Sequence, residues 1–212
     1  MPVPRYASAE KRAELVTAAK LLLHERGLHR TTLADVASRA DVPLGNIYYY
    51  FKTKDSLAEA VLEAHDAALR ADFASWESAH EEPMVRLRCL IRAPLSAADR
   101  LVEWGFPLGG LLSECAKLDA RSNLAKVASR VLARYIEWVV EQFRADGFSL
   151  RESRDLAMDL VGAIEWTLLL ASTIGSRGVL HRRLRRIERW LSNIAGSFNS
   201  ASPPSARRRD AR

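Results

Sequence analysis

Residues 27–61 read GLHRTTLADVASRADVPLGNIYYYFKTKDSLAEAV, and the punctuation inside this stretch decides the fold. Gly27 stops the helix before it, because a residue without a Cβ enters the left-handed region at little steric cost. Thr32 stands three positions ahead of Asp35, the spacing of a capping box, so a short helix opens after Thr32 and closes near Ala40. Pro43 suits the first turn of a third helix, where its missing N–H is not needed, and that helix runs to about Phe51. Thr53 caps a fourth, which continues through Leu57, Val61, Leu62, His65 and Leu69 toward Trp76. Upstream, Leu15, Val16, Ala19, Leu22 and Leu23 recur at helical spacing and set a first helix from about Ser8 to Arg26. Three helices, the second and third parted only by Ala40, Asp41 and Val42, are the layout of a helix-turn-helix, whose third helix enters a major groove.

At ~100° per residue, Ile47 and Phe51 fall about 40° apart and form the buried side of that third helix. Gly45 and Tyr49 then point away from the core, Asn46 and Tyr48 flank them, and Leu44 is left between groove and core. Tyr48, Tyr49 and Tyr50 spread over most of the circumference, so at least one faces outward. Such a ring is either a half-packed surface aromatic or a hydroxyl donor to phosphate. Lys52 and Lys54 follow directly, and Thr32 sets a hydroxyl beside the free N–H groups of a helix start, which favour anions.

The chain has 212 residues, 48% hydrophobic and 27% charged, too apolar for a disordered chain and long enough for a small domain joined to a larger one. The most apolar run, Leu160 to Ile174, contains Glu165 and falls short of the ~20 residues that span a bilayer, so no membrane association is expected. The amino terminus is charged at once and has no apolar export core, which sets a cytoplasmic expectation. Cys89 and Cys115 show neither a disulfide framework nor a metal-ligand spacing; two reduced thiols, no metal and no cofactor are expected. The net charge of +6 is uneven: +2 over residues 1–60, −4 over 61–176 and +8 over 177–212. Most of the excess therefore sits far from the helix-turn-helix, and charge alone argues weakly for DNA. There is no Gly-rich phosphate loop, no nucleophile elbow and no paired acids in a motif, and His24, His29, His65, His80 and His181 are scattered, so an enzyme is not expected. Beyond Glu82-Pro83, helices are expected near 84–101, 107–115, 120–146, 152–175 and 180–198, giving an all-α chain of about nine helices. The last residues, 200–212, are Ser-, Pro- and Arg-rich and are expected to hold no fixed structure.

With KRAELVTAAKLLLHERG ahead of it, the stretch resembles the DNA-binding domain of the TetR/AcrR family of transcriptional regulators over residues 9–62. The matching features are Ala18, Ala19 and Gly27, then Thr31-Thr32, Val36-Ala37 and Gly45, then Ile47-Tyr48, Tyr50-Phe51 and Lys54. Two positions depart from the pattern: Asp41 replaces the usual turn glycine, and Pro43 replaces the usual cap. The resemblance implies a helix-turn-helix DNA-binding domain over 1–54 and a helical ligand-binding and dimerisation domain over 55–199. It implies a homodimeric repressor on a pseudo-palindromic double-stranded operator, released by a small, mostly hydrophobic effector. Phosphate contacts are implied for Thr32, Tyr48, Tyr49 and Lys54 and base-edge contacts for Leu44, Gly45 and Asn46, with Leu33 and Lys52 completing the DNA-facing set. Asn46 has the donor and acceptor that adenine requires, and no arginine in the helix offers bidentate guanine readout. Arg5, Lys11 and Arg12 are taken as further cations from an amino-terminal arm.

In the larger region Leu184, Ile187, Leu191, Ile194 and Phe198 recur at three and four, a seam that suits either ordinary core or an interface. The preceding helix carries the small residues Gly162, Ala163, Ala171, Ser172 and Gly175. The family implies that these two helices build the dimer, with Gly162, Ala171, Gly175, Leu184, Ile187, Leu191 and Ile194 in contact. Arg182, Arg183, Arg185 and Arg186 read as a solvated face. Effector contacts are expected among Ile91, Trp104, Phe106, Leu111, Trp138, Met158, Glu165 and Trp166. Glu165 is an acid in an apolar helix and either pairs with an arginine such as Arg134 or awaits a ligand. Residues 104–114 resemble one branch of the family in which some members carry a sensing cysteine at the position of Phe106. A metal- or thiol-responsive regulator on the same scaffold, using Cys89 or Cys115 or joining His24 and His29 to Cys89, is the alternative.

Overall fold

The computed structural model describes the backbone of residues 5–201 and the side chains of residues 9–195. Among these residues there is no strand. The order is α1 (Arg5–Arg26), α2 (Leu33–Arg39), α3 (Leu44–Tyr50), α4 (Lys54–Ala79), α5 (Pro83–Arg92), a 3-10 turn (Ala93–Ala97), α6 (Ala98–Trp104), α7 (Pro107–Cys115), α8 (Asn123–Ala145), α9 (Leu150–Ile174) and α10 (Arg177–Ala201). The helix expected near 84–101 is two helices, because Pro94 brings no N–H and its ring crowds the carbonyl four residues back. That split gives ten α-helices among the described residues, in keeping with an all-α chain of about nine. Helix α10 enters the stretch expected to be unstructured as far as Ala201; the rest of that expectation, and the side chains of Arg5 and Phe198, lie outside the described residues.

Caps form where the sequence places them. Thr32 with Asp35, Thr53 with Ser56 and Ser149 with Glu152 each close a reciprocal pair of side-chain bonds at the start of α2, α4 and α9. Pro43 is the cap of α3, the position at which it replaces the usual cap residue, and it supplies no side-chain bond. Asp41 takes φ 51°, the left-handed turn between α2 and α3 that a glycine would enter more cheaply.

One core joins the helix-turn-helix to its support. Leu15, Leu22, Val36, Ile47 and Phe51 pack with Leu57 and Leu62 of α4, and the cluster continues into Leu108 and Leu111 of α7 and Leu124 of α8. A second core gathers Leu87 and Ile91 of α5, Val139 and Phe143 of α8, Leu160 and Leu168 of α9, and Leu180, Leu184 and Leu191 of α10. Helix α9, 25 residues, is long and apolar enough to cross a membrane by length and composition, more so than its last fifteen residues suggested. In the fold it packs against α8 and α10.

The seam on α10 is core. Leu184, Ile187 and Leu191 are buried against the same chain, as is Ala171 on α9, so these four have little surface left for a second subunit; Ile194 is half-buried beside them. The period reported a covered stripe but not what covers it. What α9 leaves uncovered is another stripe: Met158, Gly162, Trp166, Leu169 and Thr173, with Ile174 and Gly175 at its end.

Candidate nucleic-acid interface and effector cavity

Helix α3 is anchored by one side chain. Ile47 is fully buried and Phe51 closes the helix from below, while Leu44, Gly45, Asn46, Tyr48 and Tyr49 are exposed. Tyr49 is 74% exposed and its ring stands edge-on to Tyr50, 5.1 Å between centroids, with Tyr50 half-buried against the core. The outer face is therefore two phenol hydroxyls and the Asn46 amide on a seven-residue rod held at its base. Leu44 falls on the open side, which resolves its position, and a Cβ added at Gly45 would meet nothing within 4 Å.

Several expected contacts are already engaged. The Thr32 hydroxyl donates to Asp35 Oδ2 at 2.6 Å and accepts from the Asp35 amide at 3.1 Å, so its proton is not free for phosphate. These bonds hold the Asp35 carboxyl below its usual range. Leu33 is half-buried against the first core. The Lys54 ammonium donates to the Leu28 carbonyl at 3.0 Å and that of His29 at 3.5 Å, which makes it a clamp on the turn after α1. Lys11 and Arg12 belong to α1 and not to an arm: Lys11 pairs with Glu14, and Arg12 lies over the Phe51 ring, 5.1 Å from its centroid. Lys52 is the expected cation beside α3 that is exposed and unengaged.

The turn after α1 is held from its other side by α7. Glu114 accepts from the Leu28 amide at 2.9 Å and the His29 amide at 3.2 Å, and His24 Nε2 donates to the Gly105 carbonyl at 2.7 Å. Nothing in the sequence signals these bonds, which join residues more than 80 positions apart. A cavity of about 650 Å³ opens between α6, α7 and α9. Trp104, Phe106, Glu165 and Trp166 line it as expected, with Gly109, Leu169 and Glu114 itself among the other walls.

The remaining effector candidates lie elsewhere. Ile91 is sealed in the second core and Leu111 in the first. Trp138 stacks on Phe73 at 4.0 Å and donates to Glu77 at 2.7 Å, and Met158 stands exposed on the outer side of α9. Arg134 does not meet Glu165; its guanidinium pairs with Asp66 of α4. Glu165 has no hydrogen-bond or ion-pair partner among the described residues, and burial pushes its carboxyl up to about 7.

Residues 15–61 match the family described as bacterial regulatory proteins, tetR family. The chain is 28% identical over 185 residues to an uncharacterized HTH-type transcriptional regulator of Mycobacterium tuberculosis, a match that covers 83% of this chain and 93% of that one. It is 37% identical over 97 residues to the HTH-type transcriptional regulator TtgR of Pseudomonas putida, 44% of this chain and 43% of that one. Among solved structures, a TetR transcriptional regulator from Legionella pneumophila superposes with a TM-score of 0.73 at 19% identity, covering 83% of this chain and 94% of that one. Residues 15–61 are thus a tetR-family domain, and along most of its length the chain is similar to TetR-family transcriptional regulators.

The fold is all-α, and the tetR-family helix-turn-helix is a DNA-binding domain. The alternative of metal or thiol sensing gains no support. Burial pushes the Cys115 thiol up to about 11, away from the reactive thiolate, and His24 is tied to Gly105. Among the described residues no three His, Cys, Asp or Glu side chains gather as a metal group.

Proposed function

We propose that two copies of this chain act together as a cytoplasmic repressor of a pseudo-palindromic operator, with residues 1–54 reading DNA and 55–199 sensing a small effector. The outward face of α3 carries the reading: it exposes Leu44, Gly45, Asn46, Tyr48 and Tyr49 together while a single isoleucine anchors the rod. Asn46 suits adenine, Leu44 a thymine methyl, and the two phenols and Lys52 suit phosphate oxygens. In a two-fold pair the two rods would sit one helical turn apart, ~34–36 Å.

The second copy is placed on the uncovered stripe of α9. Gly162 lets backbones approach closely between Met158, Trp166 and Leu169, and Asp159 stands beside Arg183 and Arg186 of α10 in an adjoining groove, so an isologous contact would set apolar against apolar and acid near base. The same copy would close the open side of the effector cavity, which shares Gly162, Trp166 and Leu169 with that stripe. An effector that binds better to one spacing of the two rods shifts the pair toward that spacing, and the bonds from Glu114 to the turn after α1 would carry the difference.

The test is a gel shift with an inverted repeat taken from beside the coding region. The wild-type chain is expected to retard it, and Tyr49→Ala and Lys52→Ala to weaken retardation at least tenfold with helicity unchanged. With Lys54, Lys11 and Arg12 engaged internally, Lys52 from each subunit would neutralise about two phosphates per dimer, a slope of log affinity against log salt of about −2. A folded dimer that ignores every duplex offered, or a slope near zero, overturns the reading.

A further inference from the structure

The cavity between α6, α7 and α9 has a one-sided charge. Its lining holds two carboxylates, Glu114 and Glu165, three aromatic rings, Trp104, Phe106 and Trp166, and no lysine, arginine or histidine. The two acids differ. Glu114 spends its charge on the Leu28 and His29 amides, whereas Glu165 has no partner among the described residues. The group facing it from α8 is Tyr135, buried and neutral, its hydroxyl pushed above its ordinary value by burial and then by Glu165. The acid packs closely against α7: a Cβ added at Gly109 would lie 2.7 Å from Glu165 Oε2 and 3.0 Å from the Phe106 ring. A half-buried acid without a counter-charge is a cost to the fold, and its partial burial favours the neutral form. Aromatic walls beside it attract a cation through their ring faces.

We propose, resting on the reading of this space as the effector cavity, that the effector is a singly charged organic cation with an aromatic body, its charge set beside Glu165 and its body against Trp104, Phe106 and Trp166. A ligand without a donor or a positive charge would leave the acid unpaired, and an anion would lie against the Glu114 charge and oppose ionisation of Glu165. The volume, about 650 Å³, accommodates a drug-sized molecule.

The test is equilibrium dialysis of the full chain against three probes of related shape: tetraphenylphosphonium, tetraphenylborate and neutral triphenylphosphine oxide. The cation is expected to bind at least tenfold more tightly than either of the others. Glu165→Gln, checked for unchanged circular dichroism and operator retardation, is expected to lose at least tenfold for the cation alone. Equal binding of the borate, or undiminished binding of the cation by Glu165→Gln, overturns the inference. If triphenylphosphine oxide binds best and weakens operator retardation, the cation is wrong and the effector cavity stands. If none of the three binds, the inference fails, and the gel shift without any probe reports separately on DNA recognition.

Discussion

The Glu114 carboxylate accepts from two consecutive amides, Leu28 and His29, while Lys54 donates to the carbonyls of the same two residues, so the turn after α1 is gripped from both sides. One grip comes from the wall of the cavity and the other from the first residue of α4, which follows the DNA-reading helix. Gly27 sits between them at φ 78°, and a Cβ there would lie 2.6 Å from Glu114 Oε1. Gly27→Ala therefore combines two costs, a left-handed backbone worth about 1–2 kcal/mol and displacement of a charge-assisted bond worth about 1.5–3 kcal/mol. The second cost disappears if the carboxylate has already been removed. In urea denaturation, Gly27→Ala is expected to destabilise the wild-type chain by about 3 kcal/mol and a Glu114→Ala chain by only about 1 kcal/mol. Equal costs in both backgrounds would show that the carboxylate does not press on the turn.

At the scale of elements, α3 and α9 show what periodicity can and cannot report. In α3 the arithmetic of ~100° per residue picks out Ile47 as the buried position, and the fold agrees because a short rod resting on one core has one covered side. Thr32 and Thr53 are equally legible, since capping is decided by residues three positions apart. On α9 and α10 the pattern shows that stripes are covered without showing whether the cover is this chain or another. The Leu184, Ile187 and Leu191 seam is closed by α5, α6 and α9 of the same chain, and the interface proposed above moves to Met158, Gly162, Trp166 and Leu169. The two adjacent leucines of α9 separate the cases. Leu169→Glu, on the open stripe, is expected to convert the dimer to a folded monomer in sedimentation equilibrium, with stability of the monomer changed by less than about 0.5 kcal/mol. Leu168→Glu, 1% exposed in the second core, is expected to cost more than about 4 kcal/mol and to lose the folded baseline. A Leu169→Glu chain that remains dimeric would place the interface elsewhere.

Across the whole molecule two half-buried ionisable groups oppose each other; Glu165 was legible as an acid in an apolar helix, whereas the burial of His65 was not, because it is set by helices distant along the chain. Glu165 is pushed up to about 7 from an ordinary 4.5, so the folded chain holds a proton that the unfolded chain has released between those values, and stability falls as pH rises through that window. His65, on α4, is held down to about 4 from 6.5, first by burial and then by Lys20 and His24. There the unfolded chain holds the extra proton, so stability falls as pH drops from 6.5 toward 4. Each gap corresponds to about 3 kcal/mol, and over pH 4.5–6.5 the two slopes run in opposite directions and largely cancel. The wild-type chain is therefore expected to show little dependence from this pair, and single substitutions to uncover it. Relative to wild type, Glu165→Gln should gain up to about 3 kcal/mol as pH rises from 4.5 to 7 and then hold level, because above that range only the wild type carries a buried charge. His65→Leu should gain a similar amount in the other direction, as pH falls from 6.5 to 4. Urea midpoints measured for the three chains at half-unit intervals check both signs at once. A Glu165→Gln difference that is flat across the window would mean the carboxylate is already paired in solution, which is also the result expected if a second subunit brings a cation to the open side of the cavity.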